Sequence, residues 1–432
     1  MSAPYRMDHT GGCPHAANAR LLAQGAVAEV VLPGEVPGMA VLGHEALKEF
    51  LGHPDVAKDA RHFTALREGR IPDGWPLKTF ATVQGMVTAD GEDHRRVRSL
   101  VGKVFTPRRV EALRPRIERL ATELLDGVEA VAAGVAGNDP VPDGGSDNGG
   151  SDNGGSGNGV VDLRHHFAMP LPMGVIGELL GADPEFLDRL HALSTQVVST
   201  DITPEEVAAA NRELVDVLGA IAASRKERPG DDLTSALIAA REEDGDRLSA
   251  HELVGTMIVM VVAGHETTLS LITNAVRALL GHPEQSAAVR DGRAGWADVV
   301  EETLRWDSPV SYFPFRYPTR DLTLDGTVIP RGTPVLAAYS AAGRDPSAHG
   351  QDADRFDITR SRAVRHLSLG HGAHYCLGAP LARLEATIAL EQLFRRFPDL
   401  SLAMPEAELP RHPSFVGNSV RELPVYLRKQ AR

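Results

Sequence analysis

The stretch LGHGAHYCLGAPLAR, residues 369 to 383, holds Cys376, one of 2 cysteines in the 432-residue chain. Gly370, Gly372 and Gly378 surround it, and the apolar spacing that follows reads as a helix. A thiol just ahead of a helix N-terminus meets free N–H groups and the positive end of the dipole, which favours thiolate. Four chemistries use such a sulfur. A buried structural cysteine needs no glycines around it. A zinc site would recruit His371 and His374, but that spacing is tight and no fourth ligand stands out. A hydrolytic nucleophile wants a histidine base elsewhere in the chain. An axial ligand to haem iron explains the glycines, because flat loop backbone must pass beneath a macrocycle.

Two further constellations bear on chemistry. AGHETT, 263 to 268, places Gly264 and the carboxylate of Glu266 inside an apolar helical run. A helix-interior glycine costs about 1 kcal/mol against alanine, and a carboxylate on an apolar face costs more unless paired or wet. Gly264 with Thr267 permits a local widening in which the hydroxyl enters the helix ladder and water follows; a plain kink with a satisfied Glu266 is the equal alternative. EETLRWDSP, 301 to 309, sets Glu302 and Arg305 three apart on one helical face before a proline that ends the helix. Alone, that pair reads as a surface salt bridge.

The elements that must position these residues are mostly helices punctuated by Pro and Gly. Residues 201 to 228 open with TPEE and end at ERPGDD; residues 249 to 280 open with the capping box SAHE and close before GHP, with a middle that is apolar all round. Strand signals are short: VPGMAVLG, DLTLDGTVIPRGTPVLAAY and ELPVYL. The sum is a mainly α (α+β) fold with a minor antiparallel sheet. One segment, 136 to 159, repeats SDNGG and has nothing to bury; it is expected to be a flexible Gly/Ser/Asn/Asp-rich insertion loop within a single domain of residues 1 to 432. A net charge of −13 argues against nucleic-acid binding. Two cysteines suit a reducing cytoplasm, and the absence of a signal pattern or an uncharged apolar span argues for a cytoplasmic protein without a membrane anchor.

Taken in order, these motifs resemble the cytochrome P450 haem-thiolate monooxygenases in their soluble bacterial form. The resemblance runs from about residue 30 to the end, broken only by the glycine-rich insert. It implies a helix-rich triangular prism around haem b, with Cys376 as the thiolate ligand of the iron. Leu369 stands where the family has Phe, a departure that bears on redox potential. Glu266 and Thr267 become the acid and alcohol of proton delivery, and Ala263, Gly264, Leu369, Gly370 and Gly378 line the haem. His94, Arg98, Arg316 and His374 serve its propionates. Glu302 and Arg305, joined by Arg355 from DADRF, form the buried Glu-Arg-Arg scaffold. The implied reaction is R–H + O2 + 2 e− + 2 H+ giving R–OH and water.

The family further implies NAD(P)H electrons arriving through a ferredoxin reductase and a ferredoxin. The run HRRVRSLVGKVFTPRR, 94 to 109, is basic without an acid and offers a steering patch for an acidic partner. Pocket walls fall, by resemblance, at Trp75, Phe80, Val83, Gln84, Met86, Met260, Val310, Phe313, Phe415 and Val416, an apolar set suited to a bulky hydrophobic molecule. Phrases such as PTRDLTLDGTVIPRGTPVLAAYSAAGRDP look like an actinobacterial subgroup acting on steroids and macrolides. A steroid is the expected substrate, with a macrolide or other polyketide as the alternative, and a non-catalytic haem-binding relative as the rival from another class. A monomer is expected.

Overall fold

The computed structural model describes residues 4–7, 12–83, 85–134, 159–198, 202–240 and 245–428. Gln84 and the insert up to residue 158 lie outside the described residues.

In chain order, the elements that matter to the site begin with strands β1 (Val27–Leu32) and β2 (Val36–Val41), then helices α1 (Gly91–Val104) and α2 (Arg114–Ala132). Helices α3 (Pro170–Leu180), α4 (Leu187–Val198), α5 (Pro204–Glu227) and α6 (Ala250–Gly281) follow. Helix α7 (Trp296–Trp306) leads into strands β3 (Phe313–Pro318) and β4 (Val335–Ala337), and α8 (Ala379–Arg396) comes last.

The helix starts follow the local chemistry. Thr203 with Glu206 and Ser249 with Glu252 form capping boxes at α5 and α6, so the first turns satisfy their own N–H groups. Helix α6 stops where His282–Pro283 cannot continue it. By length and composition α6 could cross a bilayer, yet it runs through protein, packed against α3, α4, α5, α7 and α8. Around its C-terminal half Ile117 and Leu125 of α2, Ile272 and Leu279 of α6, Val299 of α7 and Ile388 and Leu393 of α8 form the main core. Each is almost fully buried, and burying such a side chain stabilises by about 1.5–3 kcal/mol. The N-terminal half packs with Leu190, Leu214 and Ile176 of α4, α5 and α3 in a second cluster.

The main sheet is mixed rather than purely antiparallel. β1–β2 and β3–β4 are antiparallel, whereas β2 lies parallel to β4, pairing Met39 with Val335. Strands so far apart in sequence are joined by helical connections and therefore have no hairpin constraint on direction. The stretches VPGMAVLG and ELPVYL do form strands, Val36–Val41 and Pro424–Tyr426, as their alternation suggests.

Candidate active site

Cys376 sits on a tight loop held by its own backbone. Its N–H donates to the Leu369 carbonyl at 2.8 Å, closing a turn over the 3-10 segment Gly372–His374. Gly370 and Gly372 take φ of +78° and +71°, and a Cβ on them would press on the His374 carbonyl at 3.3 Å and the Leu51 carbonyl at 3.1 Å. Gly370 and Gly372 are therefore there for close backbone approach within the loop and to Leu51. The backbone N–H groups of Gly378 and Ala379 point at the sulfur, and Arg98 and Arg383 stand nearby; burial nonetheless pushes the thiol up from its usual range. A sulfur so provided with donors, yet held protonated by burial, suits a site whose charge is completed by a bound cation.

Above α1 gathers an excess of positive groups. His94 is 3% and Arg316 5% exposed, and the rings of His94 and His374 lie 4.1 Å apart. Arg98 Nη2 donates to the Tyr375 carbonyl at 2.6 Å, tying α1 to the cysteine loop. The buried Lys58 ammonium lies 4.5 Å from the Phe313 ring centroid. The carboxylate among them is Asp90, which accepts the N–H groups of Lys58 and Asp59 at 2.9 Å instead of capping α1, and lies 4.0 Å from His374. Burial and the neighbouring Arg316, His94, Lys58 and Arg98 push His374 down to about 2. Burial likewise lowers His94, Arg316 and Lys58. Among the described residues the buried Nε2 of His94 has no hydrogen-bond partner. A buried cluster this short of anions is built to receive them.

On α6, Ala263 is exposed in the middle of the helix, so it faces an open space; Thr267, one turn on, donates its hydroxyl to the Ala263 carbonyl at 2.7 Å. The helix runs unbroken from Ala250 to Gly281, and the Thr267 hydroxyl joins its i to i−4 ladder through this hydrogen bond. At Gly264 a Cβ would meet Ile176 Cδ1 of α3 at 3.0 Å, so the missing side chain allows close helix packing. Adjacent helix residues diverge, and Glu266 leaves the Thr267 side. Its Oε1 accepts from Thr195 of α4 at 3.1 Å and lies 3.7 Å from His265 Nδ1. Burial opposes its charge, but His265 and Arg164 outweigh that and hold the carboxyl below its usual range.

The scaffold pair is buried and bidentate, not a surface bridge: Arg305 Nε and Nη2 reach the two Glu302 oxygens at 2.8 and 2.7 Å. Arg305 also donates to the Gly343, Ala353 and Arg355 carbonyls at 2.7, 2.6 and 2.8 Å, fixing the segment that leads to the cysteine loop. Arg355 therefore enters through its backbone alone; its side chain is exposed, which corrects the expected Glu-Arg-Arg assignment. The guanidinium that approaches Glu302 belongs to Arg360, with Nε 3.7 Å from Oε1 and 13% side-chain exposure. DITR lies one turn of chain further on than DADRF, and only the path of the backbone between them tells which arginine turns inward.

The apolar set divides. Val310 and Val416 come together, since Val310 bridges Gly417 and Ser311 N–H donates to the Val416 carbonyl at 2.8 Å. Met86 and Met260 are partly buried against the α3–α5 cluster, and Phe80 against the N-terminal core. Trp75 and Phe415 are 2% exposed and belong to that core; Trp75 stacks on Phe315 and donates its indole N–H to the Pro33 carbonyl at 2.8 Å, so neither lines an open pocket. Val83 is 45% exposed, and Phe313 lies under Lys58. Sequence reasoning missed Lys58, Arg164 and Arg360: each is a basic residue in a polar stretch, and nothing local distinguishes such residues from solvated ones.

Fold and site together define a haem-thiolate protein, and the chain belongs to the cytochrome P450 family: the family model "Cytochrome P450" matches residues 205–292 and 297–421. It is 37% identical over 429 residues to 2-hydroxy-5-methyl-1-naphthoate 7-hydroxylase of Streptomyces carzinostaticus, covering 99% of this chain and 98% of the relative. It is 36% identical to vitamin D(3) 25-hydroxylase of Pseudonocardia autotrophica, covering 95% and 93%. The structure described as "Testerone bound CYP154C4 from Streptomyces sp. ATCC 11861" superimposes with a TM-score of 0.89 at 40% identity, covering 99% of each chain. The protein is accordingly a P450 monooxygenase of the bacterial type, an oxidoreductase whose family works with haem-thiolate iron and O2. The residues present fit that group: a cysteine facing the N–H groups of Gly378 and Ala379, and a buried basic cluster in which Arg98, Arg316, Lys58 and two histidines meet the carboxylate of Asp90.

Proposed function

We propose that this P450 hydroxylates a steroid-like substrate, drawing electrons from NAD(P)H through a ferredoxin reductase and a ferredoxin. The observation that carries the substrate class is the 40% identity, over 99% of the chain, to a structure whose stated ligand we read as testosterone. The vitamin D(3) hydroxylase among the relatives points the same way. Cys376 would hold the iron, and His94, Arg98, Arg316 and His374 the propionates. Bound there, haem supplies reductive activation of dioxygen.

The chain's own contribution is position and protons. Ala263 leaves room beside α6, where a larger side chain would fill it. Thr267 presents a hydroxyl whose proton is held on the Ala263 carbonyl at 2.7 Å and is released to whatever acceptor displaces that bond. Glu266, ionised and in reach of Thr195, His265 and Arg164, holds a proton acceptor on the far side of the same turn. Val310, Val416 and Met260 supply apolar contact for a rigid ring system.

Four basic residues of the 94–109 run, Arg95, Lys103, Arg108 and Arg109, are exposed, whereas Arg96 pairs with Asp246 and Glu252 and Arg98 turns inward. This face, tied to the cysteine loop, is the one an acidic ferredoxin would meet. Cys13 and Cys376 are both free, which suits a reducing cytoplasm, and we take the working form to be a monomer.

The test is a spin-state titration of the ferric protein against steroids, macrolides and hydroxynaphthoates, followed by product analysis with ferredoxin, its reductase and NADPH. Steroids are expected to shift the Soret band and yield a mono-hydroxylated product. Shift and product with a macrolide or naphthoate, and none with steroids, would replace the substrate class; no product with any donor would favour a non-catalytic haem protein.

A further inference from the structure

Lys58 follows directly on the short strand Val56–Ala57, which pairs with β3, and is only 4% exposed. Lysine is almost never buried this far without a partner. Among the described residues its ammonium makes no ion pair and meets only the face of Phe313, 4.5 Å from the ring centroid. Asp90 offsets part of its charge but forms no ion pair with it: both carboxylate oxygens accept the backbone N–H groups of Lys58 and Asp59 at 2.9 Å. Those hydrogen bonds fix the backbone from which the ammonium projects. Arg316 acts on it as a further positive neighbour. A buried cation without an ion pair is strongly destabilising. It persists here beside the cluster the family reserves for the two haem carboxylates.

We propose that Lys58 is a further haem-propionate ligand in this chain, a fifth hydrogen-bond donor added to His94, Arg98, Arg316 and His374. The proposal rests on the P450 reading and adds to it a residue outside the family motifs. It carries a signature that a packing role lacks. The haem-free protein bears the cost of an unpaired lysine, and the haem-bound protein recovers it through a charge-assisted hydrogen bond. Removing the charge should therefore stabilise the haem-free chain and weaken haem retention, two effects of opposite sign.

The experiment compares wild type with Lys58→Met, which keeps the length of the side chain and loses its charge, with Lys58→Gln as a second variant if the first does not fold. Haem release is followed as transfer to excess apomyoglobin, and haem-free stability as the urea midpoint. Release from the variant is expected to be roughly 10- to 100-fold faster, the worth of one hydrogen bond to a charged group, while the haem-free midpoint rises. Reconstitution with haem dimethyl ester, which has no propionate charge, should make wild type and variant release at the same rate. Equal release with ordinary haem, an equal acceleration with haem and with its ester, or a lower haem-free midpoint would each overturn the assignment. A wild type that takes up no haem would show no Soret band and would fail the P450 reading itself.

Discussion

The arginine beside Glu302 offers the sharpest test of the scaffold. Arg360→Ala removes a guanidinium that donates to the His349 carbonyl at 2.9 Å, to Asp352 Oδ1 at 2.9 Å and to the Asp352 carbonyl at 2.7 Å, and lies 3.7 Å from Glu302. A hydrogen bond from a charged group is worth about 1.5–3 kcal/mol when both partners are buried. Asp352 is 50% exposed, so water takes over much of that end, and Glu302 keeps its bidentate pair with Arg305 and the Asp357 N–H. The buried carbonyl and the weakened compensation of Glu302 leave a net loss of about 3 kcal/mol. Unfolding entropy of about 2.1 cal/mol/K per residue gives about 0.9 kcal/mol/K for 432 residues, so the melting midpoint should fall by about 3 °C. Arg355→Ala keeps the carbonyl that accepts from Arg305 and loses only an exposed side chain, so its midpoint should move by less than about 0.5 °C. Thermal melts followed by circular dichroism, with the carbon monoxide difference spectrum recorded on each variant, decide the matter. A larger loss for Arg355→Ala than for Arg360→Ala would refute the reasoning and restore the family alignment of DADRF.

Three further outcomes follow from the site. Burial pushes His265 down to about 4, so below pH 6.5 the unfolded chain takes up a proton the folded chain refuses; stability should fall as pH drops from 6.5 to 4, by roughly 3 kcal/mol from this group. Urea midpoints between pH 7 and pH 4.5 check this, and His265→Leu should flatten the slope by one proton. Leu369→Phe places a ring over the carbonyl that accepts from Cys376; by excluding water from the sulfur it should lower the reduction potential, and an unchanged redox titration would refute that. Exposed Arg108 and Arg109, changed together to Glu, should slow second-order reduction by ferredoxin about 10-fold at low salt. In wild type that rate should fall with ionic strength, and stopped-flow rates that ignore salt would remove the basic face from partner docking.

What could be read from the chain alone was local. The glycines around Cys376, the capping boxes of α5 and α6, and the pairing of Glu302 with Arg305 are each set within a few residues, where backbone geometry ties spacing to contact. The insert's composition, with nothing to bury, is likewise a property of the sequence itself. What only the tertiary structure decided is which similar residues turn inward. Arg355 and Arg360 share a polar stretch, yet one is exposed and the other reaches Glu302. Trp75 and Phe415 look like pocket aromatics and are core, and Gly264 makes room for Ile176. Lys58 reads as a surface lysine until β3, α1 and the cysteine loop close around it. Burial and charge compensation arise between segments brought together from across the chain, so no local pattern specifies them.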